Sequence, residues 1–225
     1  DRIKGMMETM GLDEDTPIDA KILSGAIETA QKNVESRNYQ TRKNVLEYDD
    51  VMNTQRKVIY GQRSQVLEGE DLQSQVAHMM EVVAERNVNA AFGEQAHISR
   101  SDFLSLLSHF DGICFPKGAW SYTDEALSTL TKEQAAADLL SIMKTYYQKK
   151  EAALTTPVMR ELERVVTLRV VDEYWMDHLD AMTDLRQGIG LRAYGQNDPV
   201  VEYKREGYEM FENMIDSIRE EIVRR

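Results

Sequence analysis

The fold class follows from residues 34–63, which read VESRNYQTRKNVLEYDDVMNTQRKVIYGQR. Apolar side chains recur through this stretch and on its N-terminal side at steps of mostly three, four or seven residues, the period of one helix face. The stripe comprises Ile22, Ala26, Ala30, Val34, Thr41, Val45, Tyr48, Met52 and Ile59. No proline lies between Pro17 and Pro116, so we predict one helix from about residue 17 to about residue 67. At 1.5 Å per residue it would be about 75 Å long, long enough to act as a spine for other parts.

The start of this spine has its own signal. Thr16 can cap a helix with its hydroxyl group, and Pro17 suits the first helical position. Residues 1–15 before it are Met-rich and acidic, and we interpret them as a short helix followed by a linker. An alternative interpretation of the spine is a solvated coiled-coil arm, because the apolar stripe is narrow and much of the surface is polar.

Composition excludes several classes of protein. The chain has 225 residues, a net charge of −12 and no basic segment, so nucleic acid is not an expected ligand. The sequence contains neither an apolar run long enough to span a membrane nor a signal peptide at its start. The single cysteine, Cys114, excludes an internal disulfide bond and is consistent with a reducing compartment.

Residues 69–156 predict a small helical domain with its own core. A helix is expected to about residue 92, followed by shorter helical pieces. A further helix is expected to begin at a capping box formed by Thr131 and Gln134. The loop between them contains Phe110, Phe115 and Trp120. These aromatic side chains could form a binding surface, but packing is the favoured interpretation.

Residues 157–225 predict two long helices in an antiparallel hairpin. Thr156 and Pro157 begin the first helix, and Asp198 and Pro199 begin the second. The expected inner face of the first helix comprises Val158, Leu162, Val165, Val166, Arg169, Asp172, Trp175, Leu179, Met182 and Leu185. That of the second comprises Val201, Tyr208, Phe211, Met214, Ile215, Ile218 and Ile222.

The hairpin tip, residues 188–199, reads GIGLRAYGQNDP. Its glycines permit a turn, and two interpretations of its apolar and aromatic side chains remain open. In the first interpretation, Leu191 and Tyr194 fold back onto the hairpin. In the second, Leu191, Arg192 and Tyr194 form an exposed tip that contacts another molecule.

No motif for chemistry is convincing. The sequence has no phosphate-binding loop. Glu94 and His97 match the Glu-x-x-His pattern of di-iron bundles, but the second copy that such a site requires is missing. Asp177, His178, Asp180 and Asp184 resemble metal ligands, although the same spacing is typical of a solvated helix face. We therefore expect no metal site and no catalytic residue in this chain.

Two long stretches carry a specific resemblance. Residues 34–63, quoted above, and residues 172–215, DEYWMDHLDAMTDLRQGIGLRAYGQNDPVVEYKREGYEMFENMI, closely resemble SecA, the family of ATP-driven motors of bacterial preprotein export. Residues 69–156 resemble it least. The tip differs from the common family pattern, because Asn197 stands where a basic residue is frequent.

The resemblance implies an all-α fold in which a long spine helix carries an antiparallel two-helix finger and an inserted small helical wing domain. Residues 1–16 would be the tail of the second nucleotide-binding fold, 17–68 the scaffold helix, 69–156 the wing and 157–225 the finger. The chain would be a piece between the ATPase core and a Cys-rich zinc tail. ATP and Mg²⁺ would then be cofactors of the parent protein and not of this piece, which has no nucleotide-binding motif.

The resemblance also implies partners and roles. Leu191, Arg192 and Tyr194 would contact the SecY channel complex and the unfolded preprotein, with Tyr194 at the position of the family's fingertip tyrosine. The spine would contact the parent's own nucleotide-binding folds, and from the polar and aromatic surface we expect Arg42, Glu47, Tyr48, Asp49 and Asp50 to serve that coupling. The parent would be cytoplasmic, peripheral at the inner face of the cell membrane through its other parts, and possibly a homodimer. A non-motor coiled-coil adaptor and a helical metalloenzyme are the rival interpretations.

Overall fold

The computed structural model describes residues 20–68, 72–190 and 198–225, with side chains from residue 24 onward. Apart from a 3-10 turn at residues 189–190 and an isolated bridge between Asp111 and Phe115, the regular structure in these ranges is α-helix, which confirms the all-α prediction. The helices are α1 (Ala20–Glu68), α2 (Leu72–Phe92), α3 (Arg100–Ser108), α4 (Asp124–Thr129), α5 (Lys132–Leu154), α6 (Thr156–Gly188) and α7 (Pro199–Arg224).

Helix α1 confirms the uninterrupted spine, with 49 residues in a single helix. The predicted start at Thr16 and Pro17 lies outside the described residues. The chain divides into two compact units, residues 1–49 and 50–225. In the first unit every described side chain from 24 to 43 is exposed, so the predicted apolar stripe is not buried there. In the second unit α1 buries Gln55, Ile59 and Val66.

Helices α2 to α5 surround one hydrophobic cluster, and α2 also packs against α6 and α7. The three loop aromatics Phe110, Phe115 and Trp120 are at most 3% exposed, which confirms that they pack. The edge of Trp120 meets the ring of Phe103 with 5.0 Å between the ring centroids. The capping box that begins α5 is present, because Thr131 and Gln134 each bind the other's backbone N–H. The predicted domain limits at 69–156 and 157–225 remain predictions.

Helices α6 and α7 pack side by side in opposite directions. Near the start of α7, Gly207 adjoins Met182, whereas at its end Arg225 pairs with Glu173 at 3.3 Å. The side chains between them form a second cluster, the α6–α7 cluster, which α1 joins through Ile59. Its members are Ile59, Val170, Val171, Trp175, Phe211, Met214, Ile215, Ile218 and Ile222.

The predicted inner faces of these helices were wrong in part. Val158 and Val165 on α6 are each 52% exposed, and Val201 and Tyr208 on α7 are about as accessible. Arg169 and Asp172 are exposed as well. The buried line of α6 instead comprises Met159, Glu163, Thr167, Val170, Val171, Trp175, His178 and Met182, and that of α7 begins with Val200, Tyr203 and Gly207. Polar residues and a glycine hold core positions, so a pattern based on apolar residues selected a neighbouring face.

Candidate functional site: a three-helix junction on the spine

Three residues join α1 to both helices of the antiparallel pair, and we call them the three-helix junction: Gln55, His178 and Gly207. The side chain of Gln55 is buried on α1. Its amide Nε2 donates a hydrogen bond of 2.9 Å to the backbone carbonyl of Gly207 on α7. Its Oε1 lies 2.9 Å from Nε2 of His178 on α6. A single amide therefore ties the spine to both partners.

The junction also fixes the state of the imidazole. Because the Gln55 amide nitrogen donates to Gly207, its oxygen is the acceptor, so His178 carries its proton on Nε2. The ring lies between Trp175 and Phe211, with centroids 5.6 and 5.7 Å away. Burial lowers the pKa of His178, so the ring is neutral in the folded chain near pH 7.

Gly207 allows the helices to approach closely. A Cβ atom at this position would lie 2.8 Å from Cε of Met182 on α6 and 3.6 Å from Cγ1 of Val51 on α1. The first distance is shorter than a van der Waals contact, so a side chain at this position would require Met182 to move. Nearer the end of α1, Arg63 adds a partly exposed ion pair to Asp172, with Nε and Oδ1 3.2 Å apart.

The sequence pattern missed these three residues but held a signal for them. Gln55 occupies the gap between Met52 and Ile59 in the spine stripe. His178 stands three residues after Trp175, and Gly207 stands four residues before Phe211. In each case a polar residue or a glycine falls at a core position of a helical period, where a hydrogen-bonded contact between helices is a natural reason for it.

Lowering the pH should destabilise the chain through His178. Its folded pKa lies below the ordinary value of 6.5, and burial rather than a charged neighbour is the cause. Between these two pKa values the unfolded chain binds a proton that the folded chain does not. The free energy of unfolding should therefore fall as the pH drops below about 6.5, by up to about 1.4 kcal/mol per pH unit.

Urea unfolding followed by circular dichroism, between about pH 7.5 and about pH 5.5, measures this effect. His178→Gln should show a shallower decline than the unmodified chain. His109→Gln is the matched control, because the His109 ring is exposed at the end of α3. An equal decline in the unmodified chain and in His178→Gln would contradict the prediction.

The coupling residues proposed from the sequence all lie on α1. Arg42, Asp49 and Asp50 are exposed, whereas Glu47 and Tyr48 are half-buried. Asp49 is the last residue of the first compact unit. Glu47 forms an ion pair with Lys43 one turn earlier, with Nζ and Oε1 3.8 Å apart. The three tip residues Leu191, Arg192 and Tyr194 lie outside the described residues.

The structure offers little for metal binding or nucleophilic chemistry. Within residues 20–68, 72–190 and 198–225, no three His, Cys, Asp or Glu side chains are grouped so as to hold a metal ion. His178 is buried at the junction, whereas Asp177, Asp180 and Asp184 are exposed. Glu94 and His97 follow the end of α2 and share no helix face. Burial raises the pKa of the Cys114 thiol to about 11, which keeps it protonated and unreactive near pH 7.

The described helices also include none that is both long and apolar enough to cross a membrane. Within residues 50–225 the contacts pack the end of the long helix, the helical pair and the small helical cluster against one another.

Comparison with known proteins shows which family this chain resembles. The family model described as "SecA Wing and Scaffold domain" matches residues 17–225. The chain is 49% identical over 224 residues to the protein translocase subunit SecA of Acetivibrio thermocellus, and 51% identical to that of Carboxydothermus hydrogenoformans. The corresponding subunit of Pelotomaculum thermopropionicum is 48% identical. Each alignment covers 100% of this chain and 25% of the relative, so the chain spans about a quarter of their length.

Proposed function

The chain belongs to the SecA wing and scaffold domain family, and from this premise we propose that it is the segment that links ATP hydrolysis to polypeptide movement in a preprotein-translocating motor. The observation that carries the proposal is the alignment of the whole chain with proteins named as translocase subunits. The comparisons favour this motor role over a coiled-coil adaptor. ATP and Mg²⁺ would be bound by the nucleotide-binding folds of the parent, and the segment itself would hydrolyse no ATP.

The coupling surface is the exposed part of α1. A helix that leaves every described side chain from 24 to 43 in contact with solvent has a surface available for another domain. Arg42, Asp49 and Asp50 supply charged groups that a nucleotide-binding fold can bind. The same helix is fixed to α6 and α7 by the three-helix junction. A shift of α1 would therefore be transmitted to the helical pair.

We expect Arg42→Ala and Asp49→Ala in a full-length translocase carrying this segment to change its ATPase regulation with little loss of fold. The measurement compares basal ATPase rates with those stimulated by channel and preprotein. Lys32→Ala is the control, because Lys32 makes only an exposed pair with Glu28 one turn away. Unchanged rates in both Arg42→Ala and Asp49→Ala would refute the coupling role.

The tip of the helical pair would contact the unfolded preprotein and the SecY channel complex through Leu191, Arg192 and Tyr194. A tyrosine ring provides a large contact area at low entropy cost, which suits binding to polypeptides of varied sequence. The parent would then act as a cytoplasmic protein, peripheral at the inner face of the bacterial membrane and possibly as a homodimer.

Tyr194→Ala should abolish most preprotein transport into membrane vesicles while leaving the Tm of this chain nearly unchanged. An exposed substitution usually alters stability by less than about 0.5 kcal/mol, whereas loss of a buried aromatic ring costs about 3 kcal/mol or more. Tyr194→Phe should retain more transport, because it keeps the ring. A large drop in Tm, or normal transport by Tyr194→Ala, would assign the tip a structural role only.

A further inference from the structure

The connection between α5 and α6 is a single residue in a strained conformation. Thr155 has φ +72° and ψ 148°, a combination that glycine adopts readily and a residue with a Cβ atom does not. It is the one non-glycine residue with positive φ among those described. Its side chain makes no capping hydrogen bond to α6, so capping does not account for the conformation.

A partly buried polar cluster bridges the two helices on either side of Thr155, and we call it the clasp: Tyr147 and Glu151 on α5, Arg160 and Glu163 on α6. Nη2 of Arg160 lies 3.1 Å from Oε1 of Glu151 and 2.8 Å from Oε1 of Glu163. It also donates to the hydroxyl oxygen of Tyr147 at 2.8 Å. The Tyr147 hydroxyl in turn donates to Glu163.

The two carboxylates of the clasp are largely shielded from water, since the Glu163 side chain is 5% exposed and that of Glu151 17%, whereas the Arg160 side chain is 26% exposed. Two carboxylates here share one guanidinium group. Without Arg160 they would repel each other in a site of low dielectric constant, where an uncompensated charge is costly. The clasp therefore depends on Arg160 more than an exposed ion pair would.

A cavity of about 130 Å³ adjoins the clasp. Tyr147 and Glu163 line it together with Met143, Met159 and Leu162. The space beside the helix pair is not filled by side chains, so packing at this point resists a change in the angle between α5 and α6 less than a filled core would.

We propose that the α5–α6 junction is a hinge, with Thr155 as its pivot and the clasp as the device that holds it at the present angle. A strained backbone persists only where its surroundings over-determine it, and the clasp is the structure that spans the pivot. Loss of the clasp charges would release the strain and let the helices change their angle. The pivot lies where the predicted wing, 69–156, adjoins the predicted finger, 157–225.

The first test concerns the strain at Thr155. Thr155→Gly should melt at a Tm about 2–4 °C higher than Thr155→Ala, because glycine adopts this conformation freely while alanine does not. Ala152→Gly is the matched control on the last turn of α5. At position 152 the chain with alanine should have the higher Tm and the chain with glycine the lower, because glycine destabilises a regular helix relative to alanine. A lower Tm for Thr155→Gly than for Thr155→Ala would show that the pivot is not strained.

The second test measures the hinge angle. Spin labels at Ser141 on α5 and Arg169 on α6, in a Cys114→Ser background, lie equally far in sequence from Thr155 on exposed positions. Each arm is about 21 Å long, so a change of about 15° in the angle would move the labels by up to roughly 5 Å. Arg160→Gln should broaden or shift the distance distribution by that amount, with helical circular dichroism unchanged.

Arg164→Gln is the control for this measurement, because Arg164 makes only a partly exposed ion pair with Glu161, one turn earlier on the same helix. It should leave the distance distribution as in the unmodified chain. If Arg160→Gln loses helical structure, Glu151→Gln replaces it, since that change removes the α5 carboxylate that pairs with Arg160 across the pivot. An unchanged distribution in whichever of these two variants remains folded would overturn the hinge.

Discussion

Gly207→Leu is expected to lower the free energy of unfolding of this chain by about 1–3 kcal/mol. Its side chain would enter the space that Met182 and Val51 occupy, where a single added Cβ already lies 2.8 Å from a Met182 atom. Overpacking of this kind costs about 1–3 kcal/mol. Moving α7 away from α1 would also break the hydrogen bond from Gln55 to Gly207, worth about 0.5–1.5 kcal/mol.

The control for this prediction is Gly61→Leu on the exposed side of α1. Nothing lies within 4 Å of a Cβ atom built at Gly61, so the added side chain meets open space. Leucine is also a better helix former than glycine by up to about 0.8 kcal/mol, so this variant should be slightly more stable than the unmodified chain. Urea unfolding measures both variants. If the Gly207→Leu chain had the same free energy of unfolding as the unmodified chain, the three-helix junction would not be closely packed.

Trp175→Ala should have the largest effect, a loss of about 3–5 kcal/mol in the free energy of unfolding. Trp175 is 5% exposed in the α6–α7 cluster, and its ring also lies against His178 at the junction. Its removal leaves a cavity where α6 and α7 meet. Since this change approaches the total stability of many domains, part of the chain should unfold before urea is added.

Met176→Ala is the matched control, because it truncates the next residue on the same helix. Met176 is 60% exposed, so the variant should differ from the unmodified chain by no more than about 0.5 kcal/mol. Circular dichroism with increasing urea distinguishes the two variants. If Met176→Ala were the more damaging, the buried face of α6 would be assigned incorrectly.

The sequence alone determined the helical class and most helix limits of this chain. Local rules carry this information: Pro157 and Pro199 stand at the first turns, Thr131 with Gln134 makes a capping box, and no proline interrupts α1. The long motifs also identified the family, which the alignments with translocase subunits confirm. These features depend on residues that are close together in the sequence, so they can be predicted without knowledge of the tertiary structure.

Only the tertiary structure decided which face of each helix is buried. Apolar residues on α6 lie on two faces, and the apolar count alone favoured one that includes the exposed Val158 and Val165. The buried face contains Glu163 and His178, whose burial becomes acceptable only when partners arrive from other helices. Those partners are Tyr147 for Glu163 and Gln55 for His178, the latter more than a hundred residues away in sequence. A polar residue is costly in a core until its hydrogen bonds are made, and the identity of the partner is a property of the fold.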